Sequence, residues 1–181
     1  MEKSFWTEKW DKNEIGFHQS GYNEAMVNYF ESQDLKGKTV FVPLCGKTKD
    51  MIWLAEKGAR VIGCEFSEKA TLAFFEENKL RFDREGDWFN SAEVSIFCGD
   101  FFDLELARAP DFIYDRASMV ALPPETRAKY SNKIKEVAGP HTSMLLLTFV
   151  YDQSLMDGPP FSVSEQEVIE CYSELGKVSA L

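Results

Sequence analysis

Lys38-Thr39-Val40-Phe41-Val42-Pro43-Leu44-Cys45-Gly46-Lys47 is the stretch that decides the fold. Its first half is a short apolar run, β-branched and aromatic, of the kind buried on both faces of a parallel sheet. Pro43 has no N–H for a sheet ladder, so the strand is expected to end there. Gly46 lets the backbone approach a neighbour or ligand closely where the next helix begins. Residues 48–57 (TKDMIWLAEK) set Met51, Leu54 and Ala55 at helical spacing, and Gly58 stands as the stop. Buried strand, tight turn and amphipathic helix form one unit of an α/β sheet.

The unit repeats outward from there. Residues 59–65 (ARVIGCE) read as a second strand, and Ser67 is placed to cap a helix carrying Ala70, Leu72, Ala73, Phe74 and Phe75. Residues 93–98 (EVSIFC) and 111–115 (DFIYD) read as a third and a fourth strand. Residues 124–138 read as a helix, with Pro124 at its start and Gly139 after its end. Residues 143–150 (SMLLLTFV) read as a fifth, wholly apolar strand, and Ser164-Glu165-Gln166-Glu167 as a capping box opening a last helix. There is no internal repeat and no Pro/Gly/Ser linker. The expectation is an α/β, doubly wound, mostly parallel sheet with helices on both faces. It forms a single domain over 1–181, with an N-terminal helical lid segment over 1–35.

Ligands of such sheets sit beyond the carboxyl ends of the strands, where strand order reverses. The residues to weigh there are 44–47, Glu65 with Phe66, 99–101 and 115–118. The first turn has neither G-x-G-x-x-G nor G-x-x-x-x-G-K-[ST], and its one glycine disfavours a pyrophosphate cradle. A smaller ligand bearing a carboxylate and an ammonium group suits Leu44, Gly46 and their neighbours. Glu65 follows Gly46 by 19 residues, where an acid grips the ribose hydroxyls of adenosine-type ligands; otherwise it is a solvated Glu at a strand end. Asp100 is placed to accept from an adenine amino group and Phe101 to pack on the ring, although one of Phe101 and Phe102 belongs to the core. Asp115-Arg116 is a charged pair at the end of a buried strand, costly unless partnered or bound. Arg116 offers a fork of donors to a carboxylate, or else makes a structural ion pair.

Trp6 and Trp10 share one face of a short N-terminal helix. They staple it to the core, or form a lid whose rings shield a cationic ligand. His18 is placed near a substrate and His141 at a strand start. Neither accompanies a nucleophile motif such as G-x-S-x-G, so nucleophilic hydrolysis is poorly supported.

The composition narrows the partners. Lys and Arg number 20 against 30 Asp and Glu, a net charge of −10. An acidic chain without a basic run repels nucleic acid, so a small molecule is the expected partner. Cys45, Cys64, Cys98 and Cys171 contain no C-x-x-C, and only two histidines are present, so no metal is expected. The cysteines read as buried and reduced. No apolar run of about 20 residues crosses a bilayer, and residues 1–8 lack a signal peptide's apolar stretch. The expected location is cytoplasmic, away from membranes. The expected state is a monomer, with a dimer through an open sheet edge as the alternative.

Enzymes that methylate base amino groups carry [DNS]-P-P-[YFW] after the fourth strand. Here Asp115-Arg116 stands in its place, Leu122-Pro123-Pro124-Glu125 does not match, and Gly158-Pro159-Pro160-Phe161 follows the fifth strand. Base methylation is therefore disfavoured.

Several of these segments together resemble the thiopurine S-methyltransferase family. They are Trp10 with Gly16-Phe17-His18-Gln19, Val42-Pro43-Leu44-Cys45-Gly46-Lys47, Asp50-Met51 with Trp53-Leu54-Ala55, and Val61-Ile62-Gly63 with Glu65. Tyr114-Asp115-Arg116-Ala117, Val120-Ala121-Leu122-Pro123 and Gly158-Pro159-Pro160-Phe161 complete the set, in family order across nearly the whole chain. The resemblance implies a class I, Rossmann-like methyltransferase. It would take S-adenosyl-L-methionine as donor, release S-adenosyl-L-homocysteine, and methylate the sulfur, or selenium or tellurium, of a small aromatic or heterocyclic thiol-type acceptor. It implies Trp10, Leu44, Glu65 and Arg116 as cofactor contacts, with Trp6, Phe17, Gly46, Asp100 and Phe101 as secondary ones. Phe17 and Arg116 would also face the acceptor. No residue is assigned as a catalytic base. The family's further C-terminal chain, an antiparallel strand pair closing the sheet, has at most its beginning here. Two rivals are a non-catalytic binder of the same cofactor and a nicotinamide-dependent oxidoreductase, the latter disfavoured by the missing glycine fingerprint.

Overall fold

The computed structural model describes residues 3–180. Seven strands make one sheet: β1 (Thr39–Val42), β2 (Arg60–Glu65), β3 (Asp83–Glu85), β4 (Trp88–Asn90), β5 (Val94–Cys98), β6 (Phe112–Arg116) and β7 (Ser143–Leu147). Their order is β3-β4-β5-β2-β1-β6-β7. The five strands expected from the sequence run parallel to one another, with β1 between β2 and β6. Successive strands leave β1 in opposite directions, so strand order reverses at β1 and β6. That is the doubly wound arrangement read from the sequence.

The helices are α1 (Lys3–Asp11), α2 (Glu24–Phe30), α3 (Asp50–Glu56), α4 (Glu68–Glu77), α5 (Pro124–Val137) and α6 (Glu165–Tyr172). Alternation along β1 divides the core in two. Val40 and Val42 pack on one sheet face with Met26 and Phe30 of α2, Met51 and Leu54 of α3 and Phe74 and Phe75 of α4. Phe41 faces the other way, toward Tyr130, Ile134 and Val137 of α5 and Tyr172 of α6. Each fully buried side chain of this size contributes about 1.5–3 kcal/mol. Ser67 caps α4 by accepting from the Ala70 amide, Ser164 caps α6 by accepting from the Glu167 amide, and Pro124 opens α5.

Four details differ from the sequence reading. The β3–β4 hairpin, antiparallel to β5, was not foreseen. Its first strand is wholly exposed Asp-Arg-Glu with no apolar alternation, and the usable signal was the two-residue link Gly86-Asp87, with Gly86 at φ +59. The last strand stops at Leu147 and lies at the sheet edge, with no strand on its outer side among the described residues. Beyond it Phe149 and Val150 are 55% and 72% exposed, so an apolar run did not mean burial there. The N-terminal segment divides, since α1 flanks the cleft described below while Met26 and Phe30 of α2 are fully buried in the core. Lastly, Cys45 and Cys64 are buried but Cys98 and Cys171 only half so, and all four are free. No described helix is long and apolar enough to cross a membrane.

Candidate active site

The turn after β1 is pinned to β2. The Cys45 amide donates to the Cys64 carbonyl at 2.9 Å, and the Gly46 amide donates to Oε2 of Glu65, also at 2.9 Å. Leu44 and Gly46 both adopt left-handed backbone, at φ +44 and +53. For Leu44 this costs about 1–2 kcal/mol and persists only because its surroundings dictate it. A Cβ on Gly46 would meet the Trp10 ring at 3.1 Å, so the indole of α1 lies directly on this turn.

Glu65 ends β2 and is only 4% exposed. Its Oε1 accepts from the Ser67 amide at 2.8 Å, opposite the Gly46 bond on Oε2. Burial pushes its carboxyl up to about 7, against the pull of the Ser67, Gly46 and Phe66 amides. A carboxylate has about four acceptor positions, so capacity remains for a ligand's hydroxyl.

Asp115 and Arg116 diverge, as neighbours on a strand must. Asp115 turns inward, fully buried, and accepts from the Tyr130 hydroxyl at 2.7 Å and the Met119 amide at 3.3 Å. Burial raises its carboxyl to about 6 while those donors and Ser118 oppose the rise. Arg116 turns outward, reaching the Phe17 carbonyl with Nη2 at 3.5 Å. They form no ion pair with each other, and no described acid pairs with Arg116.

The aromatic residues gather as a group. Phe17 meets Trp6 and Trp10 edge-on, with centroids 5.3 and 5.5 Å apart. Asp100 caps a short 3-10 turn at Phe101–Asp103 by accepting from the Phe102 amide. Phe101 stacks on Phe41 and tilts over Tyr130, so most of its ring belongs to the core and its remainder reaches the cleft. His18 is half-buried, and burial together with Lys47, Arg116 and Lys49 holds it below its usual value despite Glu77. His141 precedes β7 and is not part of this region.

One cleft of about 1500 Å³ takes in all nine residues singled out from the sequence: Trp6, Trp10, Phe17, Leu44, Gly46, Glu65, Asp100, Phe101 and Arg116. It also takes in Phe149, and Leu122, Pro159 and Pro160, which lie in segments that carry the family resemblance but were given no site role from the sequence. The Gly158–Pro159 and Pro159–Pro160 bonds are both cis, and the segment is tied to the 3-10 turn after β6 (Met119–Ala121) by the Phe161 amide donating to the Val120 carbonyl. Three buried polar groups behind the cleft were given no role from the sequence, although Ser118 falls in the strand-end residues 115–118 and Asp50 in a segment that carries the resemblance. Asp50 accepts from the Asn23 amide and the Tyr114 hydroxyl, Ser118 donates to the Pro43 carbonyl, and Tyr130 supports Asp115. Among the described residues no His/Cys/Asp/Glu cluster could hold a metal.

A model of the thiopurine S-methyltransferase family matches residues 1–181. The chain belongs to this family. It is accordingly an S-adenosylmethionine-dependent methyltransferase. A thiopurine S-methyltransferase of Nitrosospira multiformis is 46% identical over 182 residues, covering 96% of this chain and 82% of that one. One of Pseudomonas putida is 41% identical over 180 residues, covering 96% and 83%. Among solved structures, the 1,6-didemethyltoxoflavin-N1-methyltransferase of Burkholderia thailandensis superposes with a TM-score of 0.69 at 14% identity, covering 95% of this chain and 74% of that one. The magnesium protoporphyrin IX methyltransferase of Synechocystis superposes at 0.68 and 15% identity, covering 97% and 89%. At those identities the likeness speaks for the fold.

The donor set fits the family's cofactor. A buried carboxylate with acceptor capacity left over suits a ribose hydroxyl, an arginine fork with no acidic partner among the described residues suits a carboxylate, and three clustered rings suit a sulfonium.

Proposed function

We propose that this thiopurine S-methyltransferase family member methylates the sulfur, or a selenium or tellurium counterpart, of a small aromatic or heterocyclic acceptor. The observation that carries the reading is the single cleft in which Glu65 and Gly46, Arg116, and the Trp6, Trp10 and Phe17 cluster face a second region of Leu122, Phe149, Pro159 and Pro160. When bound, S-adenosylmethionine supplies a methyl group on an electrophilic sulfonium centre.

The chain's own residues bind, orient and exclude water. Glu65 receives the ribose hydroxyls, and its two amide bonds fix the carboxylate's direction. Leu44 and Gly46 bring the backbone of the first turn against the ligand, with Trp10 behind it. Asp100 and Phe101 border the adenine end. Arg116 holds a carboxylate of the cofactor or an anionic group of the acceptor. Trp6, Trp10 and Phe17 shield the positive centre by cation–π contact, and Phe17 also faces the acceptor. A thiol is partly ionised near neutral pH, so alignment in a dry site supplies most of the acceleration and no strong base is required.

The test is S-adenosylhomocysteine formation across aromatic thiols, heterocyclic thiols, selenite and tellurite. Turnover with a thiol, lost in Glu65→Ala, is expected. Cofactor binding without turnover on any acceptor would replace this reading with that of a non-catalytic binder.

A further inference from the structure

We propose that Ser118 and Asp115 are positioning residues for Arg116, forming a buried bracket hung from the end of β1 that sets the Arg116–Ser118 turn against the cleft. The inference rests on the first of the two roles proposed for Arg116, as a contact to the cofactor's carboxylate. Its fixed point is Pro43, whose carbonyl accepts from the Ser118 hydroxyl at 2.7 Å. Pro43 cannot drift, because the amides of Cys45 and Gly46 just beyond it are tied to β2. The second arm is Asp115, whose Oδ2 takes the Tyr130 hydroxyl of α5 at 2.7 Å and whose Oδ1 takes the Met119 amide at 3.3 Å. Three elements thus meet behind one arginine: β1, β6 and α5.

Two facts make packing alone an insufficient explanation. Ser118 and Asp115 are both fully buried, where an uncompensated hydroxyl or carboxyl is costly and an apolar side chain of similar size is not. Between them Ala117 is held left-handed at φ +63, a conformation that an alanine keeps only where its surroundings over-determine it. The bracket supplies that determination from both sides of Ala117. On the cleft side, by contrast, Arg116 has among the described residues one hydrogen bond, the 3.5 Å contact to the Phe17 carbonyl. A planar fork of donors works only when its plane is set to a fraction of an ångström, and here that setting comes from behind.

The test is a double-mutant cycle on S-adenosylhomocysteine affinity, measured by calorimetry for the wild type, Ser118→Ala, Arg116→Ala and the double variant. If Ser118 acts through Arg116, its loss weakens binding about tenfold in the wild-type background and less than about twofold once Arg116 is gone. Ser118→Thr, which retains the hydroxyl, restores affinity. Tyr130→Phe keeps its ring and deletes one hydroxyl, and it runs through the same cycle as the deciding variant should Ser118→Ala fail to fold. Ile134→Val in the same core lowers the thermal midpoint without moving affinity, which separates positioning from general destabilisation. Equal weakening in both backgrounds overturns the proposal. So does wild-type binding that Glu65→Gln weakens and neither bracket variant touches, leaving the cofactor site standing. No binding by the wild type removes the cofactor site and the bracket together.

Discussion

Replacing Glu65 by glutamine keeps the shape of the side chain and removes one acceptor oxygen. In the native protein both oxygens are engaged, Oε2 by the Gly46 amide at 2.9 Å and Oε1 by the Ser67 amide at 2.8 Å. The variant keeps one of these bonds and sets an NH2 group against the other amide. A hydroxyl of the cofactor that would have met a charged oxygen loses a bond of about 1.5–3 kcal/mol. At 1.4 kcal/mol per decade, the affinity for S-adenosylhomocysteine at pH 8 drops about 10- to 100-fold. The penalty is pH-dependent. Burial puts the Glu65 carboxyl at about 7, so it is mostly protonated at pH 6 and mostly ionised at pH 8. Only the ionised form offers all its acceptor positions, so the wild-type to variant ratio widens by up to about tenfold between those two values. The comparison is made by calorimetry at pH 6, 7 and 8, where titration of the ligand's own amino group cancels in the ratio. A variant within threefold of wild type at pH 8, or a ratio that does not change with pH, would refute the assignment of Glu65 to the ribose hydroxyls.

Glu65 and Asp115 both have raised carboxyls, at about 7 and about 6, so each contributes stability that is fully present below its unfolded value and lost as pH rises through the folded one. The unfolding free energy of the ligand-free protein, from urea titration, is expected to fall between pH 5 and pH 8 by at most about 3 kcal/mol for each group, with Glu65→Gln flattening the decline. Gly63→Ala sets a Cβ 2.8 Å from the Cys45 sulfur and 3.1 Å from that of Met51 inside the sheet, so it is expected to cost about 1–3 kcal/mol and lower the thermal midpoint. Arg127→Met removes the 2.7 Å ion pair that joins α5 to Glu167 of α6, together with the bond to the Leu122 carbonyl. With Glu167 about one-third exposed, a loss of roughly 1.5–3 kcal/mol in urea unfolding is expected, and a loss below 0.5 would show the pair to be solvated.

The sequence by itself determined the doubly wound sheet, because burial on both faces writes each central strand as an apolar run. It also determined where the cleft-lining residues fall, since the carboxyl ends of the five parallel strands all open on the same side. Leu44, Gly46, Glu65, Asp100 and Arg116 were legible for that reason, and Trp6, Trp10 and Phe17 through helical spacing and family resemblance. Tertiary structure alone decided which way each side chain turns. Asp115 and Arg116 read as one charged pair, yet strand alternation sends the acid to Tyr130 and the base toward Phe17. The hairpin at Asp83–Asn90 was hidden because an exposed strand carries no apolar period, and the last apolar run was overread because its outer neighbour, not its composition, sets its burial. Although Ser118 and Asp50 fall in stretches the sequence had marked, the buried hydrogen bonds of Ser118, Tyr130 and Asp50 were not legible. Their partners lie 75, 15 and 64 residues away, and only the packing of β1, β6, α3 and α5 brings those distances down to a hydrogen bond.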